Sequence, residues 1–214
     1  MKHRHIYRFD YPIDKDALRK EKALMDEASN TTLLVVNTDL LEKTNENRNT
    51  GEDLFPTYHD LEDKEHWDNM DTWTIRQFSS GETYLQDDIY HECKEIKRIA
   101  NELTSVIGSA GGEYMVPYFM IQDQKTVVPM HIDMGFSTAI NLIVDGESTP
   151  VIFRDEKDGE EFEYCYENAL MNVCNYFHSV PEQQNAQRLV LKFRISDVSY
   201  EDALKRMMEY FGDS

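Results

Sequence analysis

Residues 188–195 read RLVLKFRI, and side chains of two chemical kinds alternate along this stretch. Successive side chains of an extended strand leave from opposite faces, so the two kinds are expected on opposite faces. The sequence therefore predicts a strand with one apolar face against a core and one mostly cationic face towards a site. The apolar positions are Leu189, Leu191, Phe193 and Ile195, and the others are Arg188, Val190, Lys192 and Arg194.

Six further short runs rich in β-branched and aromatic residues precede this strand in the second half of the chain. Turn dipeptides, Asp145-Gly146 and Asp158-Gly159, lie between some of them. Seven short strands at this spacing are typical of an antiparallel sandwich or barrel such as a jelly roll, here with flanking helices. The strands are predicted at 114–121, 126–130, 137–144, 151–154, 162–166, 170–176 and 188–195, with one more at 31–36.

Helices are predicted at 14–28 and 84–107 from the spacing of their apolar residues, and Gly108 is the expected end of the second. A last helix is predicted at 200–211 with Ser199 as its N-cap. Because no Pro/Gly/Ser-rich linker divides the chain, a single domain is expected. Its parts are a helix-rich N-terminal part (1–112), a jelly-roll core (113–198) and a C-terminal helix (199–214).

The chain has 214 residues, of which 41 are acidic and 22 basic, giving a formal net charge of −19. A surface this negative repels phosphates and anionic lipids, which disfavours a nucleic-acid or membrane partner. The three cysteines show no CxxC spacing, which favours reduced thiols over disulfides. No leader-like or membrane-length apolar run occurs, so a cytoplasmic location is expected.

Two HxD tripeptides occur, HID at 131–133 and HWD at 66–68. In an extended chain, the imidazole and the carboxylate of such a pair leave on one face and can reach one metal ion. The first pair is followed, across predicted strands, by His178 and by Arg188 ten residues later. The second has no such continuation and lies in an acidic stretch, so it is interpreted as a solvated surface pair.

This pattern resembles the motif of the Fe(II)/2-oxoglutarate-dependent dioxygenase superfamily, especially of prolyl-hydroxylase-like and small phage-type members. The motif consists of an HxD pair, a distant histidine and an arginine ten residues after that histidine. The resemblance covers about residues 115–195. It implies a double-stranded β-helix whose catalytic residues and Fe(II) ligands are His131, Asp133 and His178, with Arg188 pairing with the distal carboxylate of 2-oxoglutarate. Two imidazoles and one carboxylate leave iron positions open for the 2-oxo acid and O2, and a guanidinium fork suits a carboxylate.

The resemblance also implies the reaction. 2-Oxoglutarate would be decarboxylated to succinate while a C–H bond in a protein side chain or a small molecule is hydroxylated with O2. In related halogenases a small residue replaces the carboxylate of the HxD pair, so the intact Asp133 favours hydroxylation.

Four more residues are candidates for co-substrate binding. Arg194 shares the cationic face with Arg188, although an ion pair with the acidic body is an equal alternative. Asn141 and Asn172 interrupt apolar runs, and because a buried unpaired amide is costly, each needs a partner from the backbone or from 2-oxoglutarate. Tyr118 is a candidate for a carboxylate contact or, alternatively, a core residue with its hydroxyl at the edge.

His3 and His5 have the spacing of a metal clip, but a chain terminus makes a poor site, so both are expected at the surface. Residues 155–163 contain six acidic residues and are interpreted as a solvated hairpin tip or as a rim that attracts a basic substrate.

Two other classes of protein remain open from the sequence. One is a cupin-type jelly roll that binds a small molecule without oxygenase activity, although cupins usually have a richer histidine cluster. The other is a structural or interaction protein in which His131 and His178 are core residues. The expected partner is a small-molecule or peptide substrate, and the sequence specifies neither its identity nor the oligomeric state.

Overall fold

The computed structural model describes residues 3–28, 32–34, 80–84, 89, 91–122, 128–133, 136–146, 150–155, 159–181 and 188–212. They form two antiparallel β-sheets and three α-helices. One apolar cluster lies between the sheets, and a second lies between the larger sheet and the helices. The fold is mostly β with flanking helices, and it confirms the predicted jelly roll, or double-stranded β-helix.

Eleven strands occur in the described residues, and they divide into a sheet of seven and a sheet of four. The larger sheet has the order β1-β9-β6-β11-β4-β3-β2, which places β11 at its centre, and the smaller sheet has the order β5-β10-β7-β8. The strands are β1 (Ile6–Arg8), β2 (Thr32–Leu34), β3 (Ser80–Tyr84), β4 (Met115–Gln122), β5 (Val128–His131), β6 (Thr138–Asp145), β7 (Val151–Arg154), β8 (Glu161–Tyr164), β9 (Asn168–Met171), β10 (Phe177–Val180) and β11 (Arg188–Ile195).

The helices are α1 (Lys15–Ala28), α2 (Lys94–Ile107) and α3 (Tyr200–Phe211), with a short 3-10 turn at Gly112–Tyr114. Their apolar faces pack against the outer face of the larger sheet, where Leu191 belongs to the same cluster. Among the described residues, no helix is long and apolar enough to cross a membrane.

The alternation predicted for the central strand β11 is confirmed by its packing. Leu191 and Phe193 lie in the cluster under the helices, whereas Val190 lies in the cluster between the sheets. The face that carries Arg188 and Lys192 therefore points towards the smaller sheet. This geometry places the cationic side chains of β11 opposite the strands that carry the HxD pair and the distant histidine.

Four of the predicted strands agree closely with the structure, and one does not. The strands predicted at 114–121, 137–144, 151–154 and 188–195 match observed strands to within one residue at each end. The strand predicted at 170–176 is wrong because β9 ends at Met171 and a turn follows. That turn leads into β10, a strand that the sequence analysis missed and that carries His178.

The helix predicted at 84–107 is wrong at its start, because Tyr84 belongs to β3 and the helix begins at Lys94. Residues 85–88 and 90 lie outside the described residues. The first turn of α2 is capped by another helix: the Glu21 carboxylate of α1 accepts hydrogen bonds from the N–H groups of Glu95 and Ile96, at 2.7 and 2.9 Å. The predicted ends are confirmed, since Gly108 adopts the left-handed conformation after α2 and Ser199 caps α3.

The N-terminal part also contributes strands to the core. β1 pairs with β9, and β3 pairs with β4, so segments from the first 84 residues extend the larger sheet on both sides.

Candidate metal centre

Two paired strands of the smaller sheet bring the predicted metal ligands together. His131 ends β5, His178 lies in β10, and the two residues are direct partners in the antiparallel register. Asp133 follows β5 by two residues, and its N–H donates to the carbonyl of Val173 at 3.0 Å. Register and this backbone contact therefore place an imidazole, a carboxylate and a second imidazole at one point.

The donor atoms of these three side chains form a group that can surround one ion. Asp133 Oδ1 lies 3.0 Å from His131 Nε2 and 3.8 Å from His178 Nε2. One donor atom from each residue lies within 4.8 Å of those of the other two. Neighbouring ligands bound to one metal ion at usual bond lengths lie about 3 Å apart, so small side-chain shifts would complete the site.

Hydrogen bonding and burial favour the metal-binding form of His178. Its Nδ1 lies 3.4 Å from the carbonyl of Tyr176, which can only accept, so the proton belongs on Nδ1 and Nε2 keeps its lone pair. Burial, followed by the proximity of His131, lowers the pKa of His178 to about 3. The imidazole is therefore neutral at pH 7, as a metal ligand must be.

Lys192, which the sequence placed on the cationic face of β11, also contacts Asp133, and this contact was not predicted. Its Nζ donates to Asp133 Oδ2 at 3.1 Å, from the cationic face of β11. Burial alone would raise the pKa of Asp133, but the charge of Lys192, with His178 and His131, holds it well below its usual range. Burial would likewise lower the pKa of Lys192, and the Asp133 carboxylate outweighs it and raises that pKa. Asp133 is thus ionised, with Oδ1 towards the histidines and Oδ2 on Lys192.

The predicted co-substrate residues on β11 and β4 lie on the same inner face. Arg188 is 1% exposed, and Tyr118 and Lys192 are partners in the register of β4 and β11. Arg194 Nε donates to the Tyr118 hydroxyl at 3.1 Å, and its guanidinium lies 4.6 Å from the centroid of the Tyr118 ring. Arg194 therefore has an aromatic partner here.

Phe136, absent from the sequence analysis, lies beneath two cations of this row. The Phe136 ring centroid is 5.5 Å from Lys192 Nζ and 5.5 Å from the Arg194 guanidinium carbon. The negative face of an aromatic ring stabilises such cations. The inner face of β11 thus presents three cations, and Lys192 among them is paired with the Asp133 carboxylate.

The structure gives the two predicted asparagines different partners. Asn141 is in register with Lys192, and its Nδ2 donates to the Tyr166 hydroxyl at 3.1 Å. Asn172 Nδ2 donates to the carbonyl of Arg4 at 2.9 Å, and its carbonyl accepts from Asn175. For Asn172 the structure thus shows the backbone partner, one of the two alternatives that the sequence left open, and this amide ties the N-terminal segment to the turn after β9.

The expectation that His5 lies at the surface is wrong. His5 is 1% exposed because its ring stacks on Phe153 and both ring nitrogens have partners. Nδ1 contacts the Tyr164 hydroxyl at 3.0 Å, and Nε2 contacts Asp155 Oδ1 at 2.6 Å. Both nitrogens are thereby used, which leaves His5 as a packing residue behind the centre.

Part of the acidic segment 155–163 is paired rather than open to a substrate. Asp155 binds His5 and Arg4, and Glu161 forms an ion pair with Arg154. These ion pairs reduce the negative charge that a rim attracting a basic substrate would offer. The second HxD pair, at 66–68, lies outside the described residues.

Three solved structures have folds similar to this one at low sequence identity. A 2OG-Fe(II) oxygenase family oxidoreductase from Burkholderia pseudomallei gives a TM-score of 0.43 and 9% identity, covering 91% of this chain and 98% of that chain. A Pseudomonas putida prolyl-4-hydroxylase gives 0.39 and 12%, covering 82% and 98%. A cupin superfamily protein from Desulfitobacterium hafniense gives 0.29 and 14%, covering 41% and 72%.

No protein-family model matches the sequence, and no curated protein matches it. Similarity of this extent indicates no substrate. The function is therefore inferred from the side chains of the site.

Proposed function

We propose that the protein is an Fe(II)- and 2-oxoglutarate-dependent dioxygenase that hydroxylates a C–H bond in a protein side chain or a small molecule. One observation carries the proposal. The His131, Asp133 and His178 group lies beside a row of cations on β11, of which Arg188 and Lys192 are buried. A metal-ligand set and an anion-binding face at one place are what a metal-chelating dicarboxylate requires.

The donor set suits ferrous iron. Two imidazoles and one carboxylate are the ligands of non-haem Fe(II) oxygenases, and they leave coordination positions for other molecules. His178 is neutral and Asp133 is ionised at neutral pH, so neither residue must lose a proton when the metal binds.

The cationic face suits 2-oxoglutarate. Arg188 lies four residues before Lys192 on β11, so their Cα atoms are about 13 Å apart along the strand. A dicarboxylate that chelates the metal through its 2-oxo acid end would direct its other carboxylate towards Arg188. There the guanidinium can donate two parallel hydrogen bonds.

Fe(II) and 2-oxoglutarate bound here would supply the activation of dioxygen, with 2-oxoglutarate oxidised to succinate and carbon dioxide as one oxygen atom enters the substrate. Lys192 binds Oδ2 of Asp133, so Oδ1 would be the oxygen available to the metal. Arg188 orients the co-substrate. Phe153, fully buried with its ring centroid 5.8 Å from that of His178, excludes water from the inner side of the centre.

The proposal is tested by product analysis. We expect the protein with Fe(II), ascorbate and O2 to convert 2-oxoglutarate into succinate, with faster release when a peptide, protein or small-molecule library contains the substrate. His91→Ala, at an exposed histidine outside the site, should retain this activity. Metal binding without consumption of 2-oxoglutarate across all libraries would instead favour a cupin-type small-molecule-binding protein.

A further inference from the structure

Gln122 is a buried amide at the end of β4 that the metal centre described above does not use. It is 1% exposed, and it is the direct register partner of Arg188 on β11. Direct partners in an antiparallel pair have their side chains on the same face. Its neighbour Met120 packs in the cluster between the sheets, whereas Ile121 packs under the helices. Gln122 therefore lies on the inner face, beside Arg188.

The side-chain amide of Gln122 lacks the hydrogen-bond partners that a buried structural amide has. Within the described part of the chain, neither Nε2 nor Oε1 of Gln122 has a hydrogen-bond partner. By contrast, Asn168 on the same sheet donates to the carbonyls of Phe9 and Tyr11 at 3.4 and 3.3 Å. A buried amide without partners destabilises a fold relative to an apolar residue of the same size. Folding alone thus gives no reason for glutamine at this position.

A carboxylate bound by Arg188 would provide the missing partner. An ionised carboxylate has about four lone-pair positions, and a guanidinium fork occupies two of them. An amide N–H can donate to a third position without adding another positive charge to the row formed by Arg188, Lys192 and Arg194. The amide oxygen can then accept from an N–H of the guanidinium or from a water molecule.

We propose that Gln122 binds the terminal carboxylate of the dicarboxylic co-substrate together with Arg188. This inference rests on the proposed function and adds a recognition residue to it. Gln122 makes the pocket selective for 2-oxo acids that end in a carboxylate over those that end in a methyl group. The empty protein is less stable in return, because its amide is satisfied only when the ligand is bound.

The test uses Gln122→Met, which keeps the length of the side chain and removes the amide. Without metal or ligand, the variant should unfold about 2–4 °C above the wild type, the shift typical of about 1 kcal/mol in a chain of this size. With Mn(II) in place of Fe(II), calorimetry should show 2-oxoglutarate binding at least about tenfold more weakly, as expected for one lost charge-assisted hydrogen bond. Binding of 2-oxopentanoate, which lacks the terminal carboxylate, should not change.

Two further variants separate recognition from packing. Gln122→Glu keeps the size but adds a negative charge, so it should also weaken 2-oxoglutarate binding. Asn168→Leu removes a buried amide that has partners, so it should lower the unfolding temperature and leave the affinity unchanged.

The outcomes distinguish a failure of the proposed function from a failure of the role assigned to Gln122. If the wild type with Mn(II) binds no 2-oxoglutarate, the proposed function and this assignment both fail. If the wild type binds and Gln122→Met binds equally well, or if Gln122→Met unfolds at a lower temperature than the wild type, only the assignment of Gln122 fails.

Discussion

His131→Ala is expected to weaken Mn(II) binding at least about 100-fold. Loss of a residue that hydrogen-bonds to a metal ligand lowers metal affinity about 10–100-fold, and loss of a ligand itself should lower it by no less. The substitution removes one of three donors and leaves the contact of Asp133 with Lys192 in place. Because the His131 side chain is only 18% exposed, circular dichroism of the metal-free variant should first show that its fold is retained. Calorimetric titration of Mn(II) into the metal-free protein measures the effect.

The matched control is His91→Ala. The His91 side chain is 72% exposed and contacts only Glu92 among the described ion pairs. This variant should bind Mn(II) as the wild type does. If His131→Ala and His91→Ala had the same affinity as the wild type, the proposed ligand set would be wrong.

Lys192→Met is expected to lower the free energy of unfolding of the metal-free protein by about 3–5 kcal/mol, the usual cost of leaving a buried charge without its partner. Asp133 is the charge in question, since its Oδ2 binds Lys192 Nζ at 3.1 Å and only 16% of its side chain is exposed. Its pKa should rise at the same time, because the positive charge that lowers it is gone. Denaturant titrations of the wild type and the variant measure the difference.

Metal binding should restore much of the stability that Lys192→Met loses. A divalent cation beside Asp133 can replace the charge of Lys192, and an ion at 100 times its dissociation constant stabilises the native state by about 2.7 kcal/mol. The double variant Lys192→Met with Asp133→Asn removes both charges and should be more stable than Lys192→Met alone. Equal stability of Lys192→Met and the wild type without metal would show that the ion pair is absent.

The sequence predicted the parts of the centre that depend on local spacing. HxD pairing in an extended segment, and an arginine ten residues after a histidine, are visible without knowledge of the fold. The contact of Lys192 with Asp133 and the position of Gln122 beside Arg188 cannot be predicted in this way. Lys192 meets a carboxylate 59 residues earlier in the chain, and Gln122 faces Arg188 only through the register of β4 and β11.

The errors in the fold have a similar cause. The start of α2 depends on Glu21, a residue of another helix that accepts from the N–H groups of its first turn. His5 is buried because Asp155 and Tyr164, about 150 residues later, provide partners for its ring. Hydrophobic periodicity in the sequence predicts neither contact. By contrast, the alternation in β11 reports burial on two faces directly, and its strand was predicted to the residue.

Anaerobic addition of Fe(II) and 2-oxoglutarate, followed by visible spectroscopy, tests the central claim most directly. We expect a metal-to-ligand charge-transfer band when both are present, and no such band with Fe(II) alone or with 2-oxoglutarate alone. The band should be absent in His131→Ala and retained in His91→Ala. No band in the wild type, or a band of full intensity in His131→Ala, would contradict chelation of 2-oxoglutarate by a metal ion held on His131, Asp133 and His178.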